Sequence, residues 1–150
     1  MLVSIVFSFR NEEKNLQELI ERVINSLSEL KDVNYELIFV NDDSKDRSLD
    51  ILKEKMHNLP IKIINMSRRF GSGPCVIAGF EHAKGDAVIY LDSDLQDPPE
   101  LFPKLIQKFK EGKDVVHTKR LSRAGENPIK MWFTLVAYRI INLFSDINLP

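Results

Sequence analysis

Short runs of β-branched and aromatic residues alternate along this chain with longer stretches of helical periodicity, and that alternation restricts the fold more than any other feature. Residues 2–9, 35–40, 61–66, 87–91 and 114–118 each read as a buried strand, too brief for a helix and bounded by turn residues. Between them Leu16, Leu19, Ile20, Val23, Ile24 and Leu27 recur at helical spacing, and Leu49, Leu52 and Met56 mark a second helix. A third runs over 74–83, opened by Pro74, and Phe102, Leu105, Ile106 and Phe109 carry a fourth. No hairpin signal joins consecutive strands. The expected fold class is therefore α/β: an open, mostly parallel sheet, strands linked by right-handed crossovers and flanked by helices. A chain of 150 residues, 43% of them hydrophobic, holds enough apolar material for a single core.

In such a sheet the carboxyl ends of neighbouring strands share an edge, and ligands collect there. The segments at those ends are polar: Arg10 to Glu12, Asn41 to Asp43, Asp92 to Gln96, and Arg120 to Arg123. If the backbone stays extended past the fourth strand, Asp92, Asp94 and Gln96 lean to one side while Ser93 and Leu95 lean to the other. Two carboxylates and an amide suit a hard divalent cation, Mg2+ or Mn2+; no thiolate or imidazole cluster favours Zn2+. Taken alone, an Asp-x-Asp after a strand is better explained by a turn and a helix cap, and its place at the carboxyl edge is what strengthens the metal reading. Asp97-Pro98-Pro99-Glu100 then opens a helix, with Asp97 as N-cap, Pro98 at the first helical position and Glu100 placed for a capping box. Asn11 reads in the same way as a cap, with Glu12 and Glu13 at the positive end of the first helix. Singly, Glu12 is a first-turn acid, Asp42 or Asp43 a turn residue and Arg120 a solvated charge. Only their convergence argues for a site.

A net charge of -1 gives no long-range field toward nucleic acid, and Arg68-Arg69 and the 119–123 neighbourhood suit a local anion site instead. The single cysteine, Cys75, excludes a disulfide within the chain, suits a reducing compartment and reads as a small core residue on a helix. The first residues lack a basic leader and a cleavage site, so they read as a strand and not a signal peptide. No run of about eighteen uninterrupted apolar residues spans a bilayer. The stretch 128–145 is apolar almost all round, through Trp132, Phe133, Val136, Ile140, Ile141 and Phe144. Three explanations compete for it: a core helix covered by further chain, an interfacial membrane helix with Trp132 and Tyr138 at headgroup depth, or a homodimer face. The stop at Pro150, directly after this helix, reads as a boundary inside a longer domain.

Taken together, Phe9-Arg10-Asn11-Glu12-Glu13, Asn41-Asp42-Asp43-Ser44-Lys45-Asp46, Ser67-Arg68-Arg69-Phe70-Gly71, the stretch 78–86 and Asp92-Ser93-Asp94-Leu95-Gln96-Asp97-Pro98-Pro99-Glu100 resemble the family 2 glycosyltransferases of GT-A fold. Within them the chain looks most like the polyprenyl-phosphate branch, which includes dolichol-phosphate mannosyltransferase and undecaprenyl-phosphate sugar transferases. The resemblance covers essentially the whole chain. It implies that 1–150 is a catalytic domain's N-terminal, nucleotide-sugar-binding part, cut short at its C-terminus. The implied reaction is a metal-dependent, inverting transfer of a sugar from a UDP- or GDP-linked donor to a polyprenyl phosphate or a growing cell-surface glycan, at the cytoplasmic face of a membrane.

The same resemblance implies roles. Asp94 and Gln96 bind the metal; Asp92 touches ribose or metal waters; Asp42 accepts from a nucleobase N–H; Glu12 sits near base and ribose; Ser8, Arg10 and Ser93 complete the nucleotide wall. Arg120 and Arg123 approach the donor or acceptor phosphate. Departures from the family stand at Ser8 and Arg10, where Pro and Tyr are usual, so that Arg10 can either stack on the base or pair with phosphate, and at Asp43, where Gly is common. The family's acceptor-activating base falls beyond residue 150, which makes a non-catalytic nucleotide-sugar binding module the alternative. Two other enzyme classes fit less well. An aspartyl phosphatase carries its Asp-x-Asp on the first strand, and a dinucleotide oxidoreductase needs glycine where Val76 follows Gly71-Ser72-Gly73.

Overall fold

The computed structural model describes residues 1–118. Within them run β1 (Leu2–Phe9), α1 (Leu16–Ser28), β2 (Asn34–Asn41), α2 (Ser48–Lys55), β3 (Ile61–Asn65), α3 (Ser72–Glu81), β4 (Ala87–Asp92) and α4 (Phe102–Lys110), the last entered through a 3-10 turn at Pro99–Leu101. The described strands form one parallel sheet in the order β3-β2-β1-β4. The α/β expectation is met.

Handedness then decides which face each helix covers. From β1 the chain steps outward to β2 and β3, so right-handed crossovers put α1 and α2 on one face; the return past β1 to β4 reverses direction and puts α3 on the other. Side-chain alternation sorts the strands accordingly. Val3, Ile5, Phe7 and Phe9 join Leu37 and Phe39 in the larger core, beneath Leu16, Leu19, Ile20, Val23, Leu52, Phe102 and Ile106. Phe7 and Phe39 stack with ring centroids 4.6 Å apart. On the opposite face Val6, Ile38 and Val40 meet Cys75 of α3, and Cys75 is fully buried as its sequence context suggests. Here α3 lies so close to the sheet that a Cβ on Gly79 would stand 2.3 Å from Val6 Cγ1.

Three expectations about elements are corrected. Residues 114–118 form no strand: Val115 and Val116 are the only apolar residues of the run, Val115 is 71% exposed, and two valines without a buried face cannot hold a ladder. α1 begins at Leu16 and not after Asn11, because Asn11 turns through the left-handed region (φ 58°) and its amide is spent on another loop. Asp97 is not the N-cap of the helical segment after β4; Pro98, extended at ψ 120°, stands there, and Glu100 reaches Arg22 of α1 in place of a capping box. Among the described residues no helix is long and apolar enough to cross a membrane. The basic loop 119–126 and the apolar stretch 128–145 lie outside the described residues.

Candidate active site

Between β1 and β4 the connections depart in opposite directions, which opens a crevice at the carboxyl ends of the strands. A cleft of about 290 Å3 occupies that place, lined by Ser8, Phe9 and Arg10 from the end of β1, Glu12, Asp42 beyond β2, Ser72 at the start of α3, and Asp92, Ser93 and Asp94 at the end of β4. Residues from three separate parts of the chain, expected to converge, do so here. A second groove of about 510 Å3, lined by Asn11 to Asn15 with Lys45 and Asp46, shares Glu12 with it.

Asp92 is aimed by its own strand. Ser8 and Asp92 are register partners, and Tyr90, two residues earlier on β4, falls on the same face. The Tyr90 hydroxyl donates to Asp92 Oδ1, and Ser8 Oγ, 3.1 Å from that hydroxyl, supplies the second partner. Burial, with the Asp92 carboxylate beside it, pushes the Tyr90 phenol up to about 12, so it remains a donor throughout the physiological range. Asp94 is aimed differently. The strand ends at Asp92 and the chain turns, so extended alternation does not account for the three polar residues: Ser93 folds inward, its Oγ donating to Ser8 O at 2.8 Å, and Leu95 takes φ 63°. A leucine in the left-handed region is strained, and here its side chain packs against the main core and holds the turn. Asp94 is thereby left exposed on the cleft, with Oδ1 accepting from Gln96 N at 3.0 Å. Gln96 is not among the lining residues.

Asp42 is 6% exposed, and its two oxygens accept from Phe70 N at 2.6 Å and Gly71 N at 3.0 Å, fastening the loop before α3 to the end of β2. Burial works against its ionisation, but those two N–H groups, the Cys75 thiol and the nearby Arg10 charge prevail and hold the carboxyl below the usual range. The thiol is pushed the other way, to about 11, by burial and by the Asp42 charge. Asp43 sits at φ 58°, as its place in a glycine position implies, and pairs with Lys45. Asn41 is not among the lining residues; its Nδ2 donates to Asn65 Oδ1 and its Oδ1 accepts from Ser44 N.

The loops after β1 and β2 are laced together. Asn11 N donates to Ser44 Oγ, Glu12 N to Ser48 Oγ, Glu13 N to Asp46 Oδ2, Lys45 N to Asn11 Oδ1 and Arg47 N to Glu13 Oε2, at 2.8 to 3.1 Å. Ser44, Asp46 and Ser48 close three of these bonds with their side chains. Of the cleft residues, Phe9 and Ser72 escaped sequence reading, as did the supporting Tyr90. Period-two spacing from Asp92 was the available signal for Tyr90; Ser72 carried none. Arg120 and Arg123 lie outside the described residues.

Chemically the cleft is acidic, with Glu12, Asp42, Asp92 and Asp94 around one guanidinium. Among the described residues no group of three or more His, Cys, Asp or Glu could hold a metal ion unaided. Two exposed carboxylates fit a hard cation that completes its shell with phosphate oxygens and water, as Mg2+ and Mn2+ do, and do not fit a self-sufficient structural metal. Arg10 Nε, sealed from solvent, finds no acceptor among the described residues. Such an unmet buried donor costs about 1–3 kcal/mol.

A parallel sheet with an acidic cleft at its switch point defines an α/β domain built to take a ligand at its carboxyl edge. The chain belongs to glycosyl transferase family 2, whose family model matches residues 4–149. It is 43% identical over 143 residues to the undecaprenyl-phosphate 4-deoxy-4-formamido-L-arabinose transferase of Proteus mirabilis, covering 93% of this chain and 42% of that protein. To the dolichol-phosphate mannosyltransferase of Pyrococcus furiosus it is 40% identical over 126 residues, covering 84% and 35%. The chain thus spans less than half the length of these relatives, which are those of the polyprenyl-phosphate branch. Among solved structures, residues 1–349 of S. aureus TarS in complex with UDP-GlcNAc match with a TM-score of 0.67 at 26% identity, over 85% of this chain and 36% of that one. The fold is GT-A.

Proposed function

We propose that this chain is the nucleotide-sugar-binding part of a metal-dependent, inverting glycosyltransferase that moves a hexose-type sugar from a UDP- or GDP-linked donor to a polyprenyl phosphate or a growing cell-surface glycan, at the cytoplasmic face of a membrane. The observation that carries the proposal is the meeting of Asp42, Asp92 and Asp94 around one cleft at the switch point of the sheet. The undecaprenyl- and dolichol-phosphate relatives supply the acceptor class, and the UDP-GlcNAc complex of a structural neighbour supports the donor class.

In this reading Asp94 holds the cation with Asp92 beside it, and Gln96, which does not line the cleft, supports Asp94 through its backbone N–H. The cation supplies charge stabilisation for the departing diphosphate, which is worth more in the transition state than in the ground state. Asp92 orients the ribose or the cation's waters, kept in one rotamer by Tyr90. Asp42, ionised at neutral pH, accepts a ring N–H of uracil or guanine, either of which its remaining lone pairs can serve. Glu12, Ser8 and Ser93 complete the nucleotide wall, and Arg120 and Arg123 take the acceptor or donor phosphate. The test is transfer by the full-length protein from radiolabelled UDP- and GDP-sugars to polyprenyl phosphate in Mg2+ or Mn2+. Labelled lipid with inverted anomeric configuration is the expected product; donor binding without transfer in that full-length protein would favour a binding module instead.

A further inference from the structure

We infer that Arg10 is a ligand of the donor's diphosphate, gripping its oxygens through the in-plane N–H groups of the guanidinium and not stacking on the nucleobase. The inference rests on the nucleotide-diphosphate reading of the cleft and deepens it. Arg10 stands at the end of β1, lines the cleft, and shares it with four carboxylates. An acidic cleft repels a diphosphate unless cations offset that charge, and Arg10 is the only basic residue among the described lining residues.

Among the described residues nothing accepts from its Nε. Asp42, whose carboxylate feels the Arg10 charge, has both oxygens engaged by the backbone of Phe70 and Gly71, so it attracts Arg10 through space without satisfying it. Arg10 Nε is buried and finds no acceptor among the described residues. Stacking on a base would use the guanidinium face and leave that in-plane donor as it is. A turn of the side chain that opens Nε to the cleft lets an acceptor in the plane of the fork remove the deficit, and phosphate presents two oxygens at the matching spacing. Arg10 then faces the diphosphate from β1 while the Asp92–Asp94 turn faces it from β4.

The experiment titrates uridine, UMP and UDP, and the guanosine series in parallel, into the full chain with saturating Mn2+, for wild type, Arg10→Gln and Arg10→Lys. The expected result is a loss that grows with phosphate number: roughly ten- to a hundredfold for the diphosphate in Arg10→Gln, a smaller loss in Arg10→Lys, which keeps the charge but not the fork, and under about twofold for the nucleoside. An equal loss for nucleoside and diphosphate would place Arg10 on the base and overturn the inference, as would unaltered diphosphate binding in both variants. Wild type that binds neither UDP nor GDP would overturn the underlying nucleotide reading and the inference with it.

Discussion

At the scale of single residues the site is a set of carboxylates whose directions are set by neighbours. Tyr90 supports this set without lining the cleft, its hydroxyl donating to Asp92 and meeting Ser8 on its other side. If it acts that way, Tyr90→Phe weakens Mn2+-dependent nucleotide binding roughly three- to tenfold, and the same change does nothing further in an Asp92→Asn background. Additive losses in that double-mutant cycle would contradict it. Asp42 carries a structural duty beside its proposed contact with the base: Asp42→Asn keeps one acceptor for two converging N–H groups and should cost about 2 kcal/mol, read as a lower urea midpoint with faster amide exchange at Phe70 and Gly71. Asp92, Asp94, Asp42, Glu12 and Arg10 were legible in the sequence because each lies at or just beyond a strand end, where parallel topology forces convergence, whereas Ser8 and Ser93 entered only through the family resemblance. Gln96 was placed by alternation, and alternation fails where the chain turns on Leu95.

At the scale of elements the strands and helices followed from periodicity, and the boundaries that did not are those fixed by contacts distant in the chain. The start of α1 depends on bonds to the loop after β2, more than thirty residues away, so Asn11 looked like a cap and serves as a strut. Glu100 looked like half of a capping box, but it pairs with Arg22 through two bonds of 2.8 Å while Ser26 Oγ donates to Pro99 O, fixing the turn after Asp94 to α1. The last expected strand had the residue types and lacked a face to bury. One contact between elements gives a direct test: α3 reaches the sheet through Gly79, so Gly79→Ala should destabilise the fold by about 1–3 kcal/mol in urea denaturation, part of it recovered when Val6→Ala makes room. A neutral Gly79→Ala would contradict the close approach.

For the molecule as a whole, pH links the site to stability. Glu36 and Asp42 both ionise below their ordinary range: burial opposes each, but Ser4, Lys84 N and Lys62 outweigh it at Glu36, and the loop amides outweigh it at Asp42. A depressed carboxyl stabilises the fold above its unfolded pKa and loses that contribution as pH falls through the folded one. The urea midpoint should therefore hold steady near neutrality and drop below about pH 4. At the alkaline end the sign reverses. The Cys75 thiol, raised to about 11, and the Tyr90 phenol, raised to about 12, stabilise the fold fully only below their unfolded values, so the midpoint should fall as pH climbs beyond about 9. A flat profile at either end would contradict these linkages. The central claim is narrower than fold or stability: a turn at the end of β4 presents Asp94 to a cation that shares a diphosphate. Calorimetric titration of UDP and GDP with and without Mn2+ into wild type and Asp94→Ala measures it. Metal-dependent binding of at least one nucleotide, lost in the variant, is the predicted result; equal binding with and without metal, or in both proteins, would contradict it.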